Sequence, residues 1–317
     1  MLKVGWMTPY GEADLWNPAL RLRRKNVQEN LESRGLANTV YLSGYYDMTD
    51  EAILLALRGC DVVVMTEQSE RDFRISRMFK ERTHAAVVRD HCEYVFGWPW
   101  QTECYSDADL VVCASTLIAE ATEAHGFRSS CVPDMYEPIT PVVPRNKSDG
   151  LRAVFMGSGA SLQMVNSPWA SFVAEAGYSL EIITDVEGVG KKWESSSWRQ
   201  WYGECDVAIV PQDTLGYPGK SSVKVAQALG AGLPVICSPL RSYVEAVVHG
   251  QDGYIHSNSD IRGWHSSLVA LKDPGLRSAV SARALESSKV FSPDAISDRW
   301  LTEFKKAMKL ARTRDGI

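Results

Sequence analysis

The chain has 317 residues, of which 45% are hydrophobic and 23% charged, with 34 basic and 39 acidic residues and a formal net charge of -5. These values are typical of a globular protein of about two domains, and they exclude an overall field that would attract nucleic acid or an anionic membrane. The N-terminal sequence lacks the apolar core of a signal peptide and no apolar run reaches the length of a membrane span, so we expect a cytoplasmic protein. Seven cysteines occur without a C-x-x-C pair, which favours reduced core cysteines over disulfides or zinc ligands.

Valine-rich apolar segments alternate with amphipathic segments along the chain, which predicts parallel strands joined by helices. In the first half the strand-like segments are LKVGWM, ANTVYL, CDVVVM, HAAVVRD and ADLVVCAS. The pattern stops at PVVPRNKSDG, where Pro, Asn, Asp and Gly predict a connection, and it resumes with LRAVFMGSG, YSLEIITD, CDVAIVPQ, LPVICSP and GYIHS. We therefore predict two doubly wound α/β domains, residues 1–145 and 146–291, that face each other across a ligand-binding cleft.

One segment, GKSSVKVAQALGAGLPVICSP at residues 219–239, suggests a site for an anion. Lys220, Ser221 and Ser222 stand immediately before a predicted helix that also carries Lys224. The free N–H groups and the positive end of the dipole at a helix N-terminus favour an anion such as a diphosphate. The alternative is a serine N-cap on an ordinary helix, with both lysines in solvent.

A longer stretch, KSSVKVAQALGAGLPVICSPLRSYVEAVVHGQDGYI followed by WHSSLVALKDPGLRSAVSARA, resembles the C-terminal half of GT-B glycosyltransferases, particularly the glycosyltransferase 4, or group 1, family. The positions that match the family pattern are Ala231, Gly232, Pro234, Val235, Ser238, Glu245, Gly250, Gly253, Asp273, Pro274 and Arg277. In the N-terminal half, ADLVVCASTLIAEATEAHGF and VPD are similar to the family's last strand and helix.

This resemblance implies the GT-B fold, in which two Rossmann-like domains face each other and the terminal helix, residues 292–317, crosses back to the N-terminal domain. Ile296, Trp300, Leu301 and Phe304 give that helix an apolar face. It also implies transfer of a sugar from a nucleoside-diphosphate sugar, UDP-sugar foremost, to a hydroxyl acceptor. No cofactor and no metal ion are expected, because Asp107 and Asp109, which formally match a D-x-D metal motif, open a predicted strand.

The sequence departs from the family at the E-x7-E pattern, where Gly219 and Gln227 replace both glutamates. Gln227 and Glu245 are then the candidates for binding the nucleoside. The amide of Gln227 suits this role because it both donates and accepts hydrogen bonds. The basic residues expected after the first strand of the C-terminal domain are also absent, which leaves Lys220 and Lys224 to neutralise the diphosphate.

Three small residues, Gly157, Ser158 and Gly159, stand where those basic residues are expected, and they predict backbone N–H groups close to the donor. A tight turn from strand to helix is the structural alternative.

The acceptor side of the predicted cleft is assigned to loops of the N-terminal domain. Asp90 and His91 follow the apolar run AAVV, so His91 is a candidate partner for a sugar hydroxyl and Asp90 a candidate base if the reaction inverts. A structural Asp–His pair is the alternative. Tyr10 and Gly11 occupy the first loop, and Trp98 offers a stacking surface for a sugar ring or a base.

Two other functions remain open at this point. One is glycosylation of a hydroxymethylated base in DNA, for which Arg21, Arg23, Arg24, Arg74 and Arg77 would form a basic rim. The other is a nucleotide-sugar epimerase or a non-catalytic sugar-nucleotide binder, since the usual glutamates are missing.

Overall fold

The structure is a computed structural model, and the residues it describes are 1–11, 14, 17–66, 69–92, 105–139, 150–165, 167–194 and 197–316. Trp98 and nearly all of the predicted boundary segment lie outside these residues. The chain divides into two compact units, the first comprising residues 1–134 and 293–317 and the second residues 135–292.

In its described part, the first unit contains a parallel six-stranded sheet with strand order β2-β1-β3-β4-β5-β6. The strands are β1 (Leu2–Thr8), β2 (Ala37–Ser43), β3 (Val62–Met65), β4 (Ala86–His91), β5 (Leu110–Cys113) and β6 (Ser129–Cys131). The central strands β3, β4 and β5 are buried along their whole length. The continuous apolar runs of β3 and β5 fit this position, because helices cover both faces of a parallel sheet.

The helices of the first unit connect these strands. They are α1 (Pro18–Leu20), a π-helical turn (Arg21–Lys25), α2 (Asn26–Ser33), α3 (Asp50–Ala56), α4 (Glu70–Arg82) and α5 (Thr116–Ala124). Polar side chains fix where several of them begin: Thr49 caps α3, and Ser69 and Asp72 form a capping box at α4. Such caps satisfy backbone N–H groups that have no partner within the helix.

The second unit repeats this architecture, and its described strands form a parallel six-stranded sheet with order β12-β11-β10-β7-β8-β9. The strands are β7 (Leu151–Met156), β8 (Tyr178–Thr184), β9 (Lys191–Lys192), β10 (Val207–Val210), β11 (Val235–Cys237) and β12 (Gly253–Ile255). The helices are α6 (Gly159–Leu162), α7 (Ser167–Glu175), α8 (Trp198–Gly203), α9 (Val223–Gly230), α10 (Arg241–Val244), α11 (Ile261–Ala270) and α12 (Pro274–Ser288). The predicted α/β class with doubly wound parallel sheets is confirmed.

Several residues that carry the family resemblance build the fold of the second unit. A Cβ on Gly253 would lie 2.6 Å from the carbonyl oxygen of Val235 on the neighbouring strand, so a larger residue does not fit there. Asp273 caps α12 through the N–H of Leu276, and Arg277 donates to the carbonyl oxygen of Leu271 at the end of α11. These positions therefore stabilise strand packing and helix ends.

The terminal helix α13 (Pro293–Asp315) belongs to the first unit. Its buried side chains include Ile296, Trp300 and Phe304, whereas Leu301 is half-buried. Trp6 of β1 packs edge-on against both aromatic rings, at centroid distances of 6.4 Å to Trp300 and 5.4 Å to Phe304. The helix is thus held to the sheet by aromatic packing along one face.

Across the part of the chain that the structure describes, no helix combines the length and the apolar character needed to cross a membrane.

Candidate functional site

The sheet of the second unit reverses its strand order between β7 and β10. Ligands of doubly wound sheets bind beyond the carboxyl ends of the strands at such a switch point. Gly157 directly follows β7, and the chain that follows β10 carries Lys220 and Lys224. The candidate donor residues from two distant parts of the sequence therefore meet at this edge of the sheet.

Lys224 is the most unusual residue at this edge. Its Nζ is buried, and among the described residues it has no hydrogen-bond partner. The ammonium group lies over the ring of Phe155, 5.1 Å from the ring centroid, and a Cβ on Gly157 would be only 3.0 Å from it. Burial, reinforced by the nearby charge of Lys220, lowers the pKa of Lys224 to about 8. A buried cation without a counter-charge is costly in free energy, and an anionic ligand would remove that cost.

The N-terminus of α9 lies beside Lys224. Ser222 is the N-cap residue, but its side chain makes no capping hydrogen bond, and the first turn contains no acidic residue. Ser221 is half-buried, and the exposed Lys220 places its Nζ 5.2 Å from the ring centroid of Tyr217. The alternative of a serine side-chain cap at Ser222 is therefore wrong, and the positive end of this helix is left uncapped by that side chain.

The predicted N–H cradle at Gly157–Gly159 is wrong at both glycines. The N–H of Gly157 donates to the carbonyl oxygen of Ile183 at 3.0 Å, and the N–H of Gly159 donates to Oδ1 of Asp185 at 2.8 Å. Ser158 is the residue that precedes α6. Because both glycine N–H groups are used within the protein, the contribution of Gly157 is the space that its missing side chain leaves beside Lys224.

The two nucleoside candidates differ in their surroundings. The amide of Gln227 is committed on both sides, because Oε1 accepts from the N–H of Glu137 at 2.9 Å and Nε2 donates to its carbonyl oxygen at 3.0 Å. These two bonds give the amide a structural role, and nucleoside binding by Gln227 stays a prediction. Glu245 follows α10 and pairs with Nε of Arg241 at 3.0 Å on the surface, where a carboxylate stays accessible.

Asp90 and His91 are the last two residues of β4, and both are buried. Nε of Arg23 donates to Oδ1 of Asp90 at 2.9 Å, and Nε of Arg24 lies 3.7 Å from Oδ2. Nε2 of His91 lies 2.8 Å from the hydroxyl of Tyr105. Since both oxygens of Asp90 face guanidinium groups, the surroundings favour a structural ion pair over a base that takes a proton from an acceptor.

The remaining acceptor-side candidates lie in the loop after β1. The side chain of Tyr10 is 40% exposed. The N–H of Gly11 donates to Oδ2 of Asp14 at 2.9 Å, and a Cβ on Gly11 would meet nothing within 4 Å. The geometry thus requires no glycine here.

Both aspartates of the formal D-x-D match form hydrogen bonds within the first unit. Asp109 stands before β5, at the amino end of that strand, where Oδ2 accepts from the N–H of Val87 at 2.8 Å and both oxygens bind Arg314. Asp107 accepts from the hydroxyl of Ser76 at 3.2 Å. These partners account for the two aspartates without a metal ion.

Four of the five arginines predicted to form a basic rim for DNA have carboxylate partners within the first unit, and the rim itself stays a prediction. Arg23 and Arg24 are buried in the ion-pair cluster with Asp90. Arg74 pairs with Asp50 at 2.7 Å, and Arg77 lies 3.5 Å from Asp107. Charges that are buried or paired with carboxylates give little attraction for a phosphate backbone.

Comparison with protein families gives one match. Residues 135–273, somewhat less than half of the chain, match the family model described as Glycosyl transferases group 1. No curated protein sequence matches the chain significantly.

Comparison with solved structures gives matches over nearly the whole chain. The lipopolysaccharide outer core galactosyltransferase WaaB in its apo form superimposes with a TM-score of 0.64 at 13% identity, covering 97% of this chain and 99% of its own. A sucrose-phosphate synthase from Thermosynechococcus elongatus gives 0.68 at 11% identity, with coverages of 96% and 99%. The Anabaena protein Alr3699/HepE, in complex with UDP and glucose, gives 0.65 at 12% identity, with coverages of 96% and 100%. These likenesses show the GT-B fold.

Proposed function

We propose that this GT-B glycosyltransferase, whose residues 135–273 form a group 1 glycosyl transferase domain, moves a sugar from a UDP-sugar to a hydroxyl acceptor without a metal ion. In this reaction the bond between the anomeric carbon and the diphosphate oxygen breaks. A bond from the acceptor oxygen to that carbon forms, and the acceptor hydroxyl loses its proton. The departing UDP carries the negative charge that the enzyme must stabilise.

The observation that carries this proposal is the buried ammonium group of Lys224, which has no hydrogen-bond partner among the described residues. It lies beside Gly157 at the switch point and one residue inside the N-terminus of α9. The positive end of the helix dipole, like the ammonium group, favours a negatively charged ligand. Lys224, the helix N-terminus and the exposed Lys220 would together supply the positive charge for the leaving diphosphate. UDP is proposed as the nucleotide because the similar Alr3699/HepE structure holds UDP and glucose.

The direct test is calorimetric titration of the protein with UDP, GDP and ADP, followed by assays of nucleotide release from several UDP-sugars. We expect UDP to bind and to be released when a hydroxyl acceptor is present. Acceptors should include small sugars and hydroxymethylated duplex DNA. Transfer to DNA alone would favour the alternative function, glycosylation of a hydroxymethylated base in DNA. Binding of UDP-sugar without release of UDP would indicate a sugar-nucleotide binder. Interconversion of two UDP-sugars without release of UDP would indicate an epimerase. No binding of any nucleotide would refute the proposal.

The affinity for UDP should depend on pH through Lys224. The pKa of this lysine in the free protein is about 8, because burial and Lys220 disfavour its charge. Below that pH the ammonium is charged and affinity should be constant. As pH rises through 8, binding must take up a proton, and affinity should fall by up to about tenfold per pH unit. Titrations at pH 6.5, 7.5, 8.5 and 9.5 measure this, and an equal affinity at all four values would rule out Lys224 as the phosphate ligand.

Replacing Gly157 with alanine should also weaken UDP binding. The new Cβ would lie 2.8 Å from Cζ of Phe155 and 3.0 Å from Nζ of Lys224, so it must displace one of them. We expect UDP affinity to fall by roughly tenfold, as for the loss of one charge-assisted hydrogen bond. Gly203→Ala is the matched control, because its Cβ would make only an ordinary contact of 3.5 Å with Ile139. Equal affinities of the two variants would contradict the placement of the diphosphate.

A further inference from the structure

We propose that Gln227 is a positioning residue: its amide clamps residues 135–139 onto α9 and, being neutral, leaves Lys224 without a competing carboxylate. This inference rests on the proposed function for its effect on UDP, but the clamp itself is a feature of the second unit that can be measured without any ligand.

The clamp consists of two hydrogen bonds between one side chain and the backbone N–H and C=O of one residue. Oε1 of Gln227 accepts from the N–H of Glu137 at 2.9 Å, and Nε2 donates to the carbonyl oxygen of Glu137 at 3.0 Å. Gln227 is 2% exposed and Glu137 is 4% exposed, so water cannot easily replace either bond. Unpaired backbone groups at this depth would each destabilise the fold.

Two neighbouring contacts hold the same segment. The carboxylate of Glu137 accepts from Arg199 at 2.7 Å, which pairs this buried charge. The ring of Tyr136 lies against Gly230 at the end of α9, where a Cβ would come within 2.5 Å of Cγ of the ring. The segment thus contacts the last turn of α9, and the glycine at 230 allows the close approach.

The amide at position 227 cannot be exchanged for a carboxylate without loss. A carboxylate only accepts hydrogen bonds, so one of its oxygens would face the carbonyl oxygen of Glu137 and leave it unsatisfied. It would also place a negative charge three residues after Lys224, on the same side of the helix. That charge would pair with the ammonium group in place of a phosphate.

The position of Lys224 depends on the helix that carries it, because its Nζ has no hydrogen bond of its own among the described residues. Val225, Ala226, Ala228 and Leu229 of α9 pack into the core of the second unit. Gln227 fixes the helix on the side of residues 135–139, so the amide helps to set where the ammonium group lies relative to Gly157. The glutamate found here in the resembling family is therefore replaced by a residue with a different task.

The test compares Gln227→Glu and Gln227→Met with Gln251→Glu, which makes the same change of charge at an exposed position. Methionine keeps the size and neutrality of glutamine but loses both hydrogen bonds. We expect the Glu137 amide to exchange its hydrogen faster in Gln227→Met, which loses the acceptor oxygen, and not in the control. UDP affinity should fall a few-fold in Gln227→Met and about tenfold or more in Gln227→Glu, with donor KM rising more than kcat falls. The pH at which UDP affinity begins to fall should move upward only in Gln227→Glu, because a carboxylate near Lys224 favours its charged form.

Gln227→Glu binding UDP as well as or better than the wild type would overturn the inference, since it would show that position 227 contacts the nucleoside as in the resembling family. Unchanged exchange at Glu137 in Gln227→Met would overturn the clamp. If the wild type bound no UDP at any pH, the proposed function would fail, while the exchange measurement would still decide on the clamp.

Discussion

Lys224→Met should lower the affinity for UDP by roughly 100-fold and at the same time raise the stability of the protein. The buried ammonium group has no hydrogen-bond partner among the described residues, and its contact with the ring of Phe155 supplies no counter-charge, so its charge destabilises the folded state until an anion binds. Its pKa falls from the ordinary 10.5 to about 8 in the folded chain. The unfolded chain therefore binds more protons between these values, and the stability of the wild type should rise as pH increases from 8 to 10.5. Below pH 8 the penalty is full, on the order of a few kcal/mol, and methionine abolishes it.

The measurement pairs UDP titration with thermal unfolding at pH 7 and pH 10. We expect affinity to drop by roughly 100-fold in Lys224→Met, with a higher Tm at pH 7 and a smaller gain at pH 10. Lys220→Met should lose only a few-fold in affinity because that side chain is exposed, and Lys192→Met, an exposed lysine of β9, serves as the control. A lower Tm for Lys224→Met with unchanged affinity would show that the lysine is needed by the fold instead.

The second large effect is expected in the first unit, where Trp300→Ala should destabilise the docking of α13. Trp300 is completely buried, and its ring contacts Trp6, Phe304 and the guanidinium of Arg23, which lies 5.3 Å from the ring centroid. Replacing a buried tryptophan by alanine costs about 3–5 kcal/mol through lost contacts and the cavity that remains. Arg23 would also lose a neighbour while it holds Asp90 and Asp134.

Hydrogen exchange separates the two units in this experiment, because a protein of two units need not unfold in one transition. We expect faster exchange in β1, β4 and α13 of Trp300→Ala, with protection in β10 and β11 retained. Lys305→Ala, an exposed position on the same helix, should behave as the wild type. Equal loss of protection in both units would contradict an effect confined to the first.

The sequence alone determined the strands and the helix that carry the site. β3, β5 and β10 follow from short valine-rich runs, because burial on both faces requires continuous apolar residues. The placement of Lys224 just inside a helix follows from local apolar spacing and the glycines after it. Strands β6 and β9 gave no such signal: they have three and two residues, and polar or charged side chains predominate in them.

Only the tertiary structure decided which polar groups are already used. Asp90 meets Arg23 across 67 residues of chain, and Gln227 meets Glu137 across 90. Local patterns carry no information about such partners, because they depend on how strands are ordered in the sheet and how helices pack on it. Gly157 looked like a phosphate-binding glycine for the same reason, since the acceptor of its N–H, Ile183, lies on the neighbouring strand β8. Lys224 remains the candidate for binding the diphosphate, because packing buries its ammonium group beside Phe155 and supplies no hydrogen-bond partner for it among the described residues.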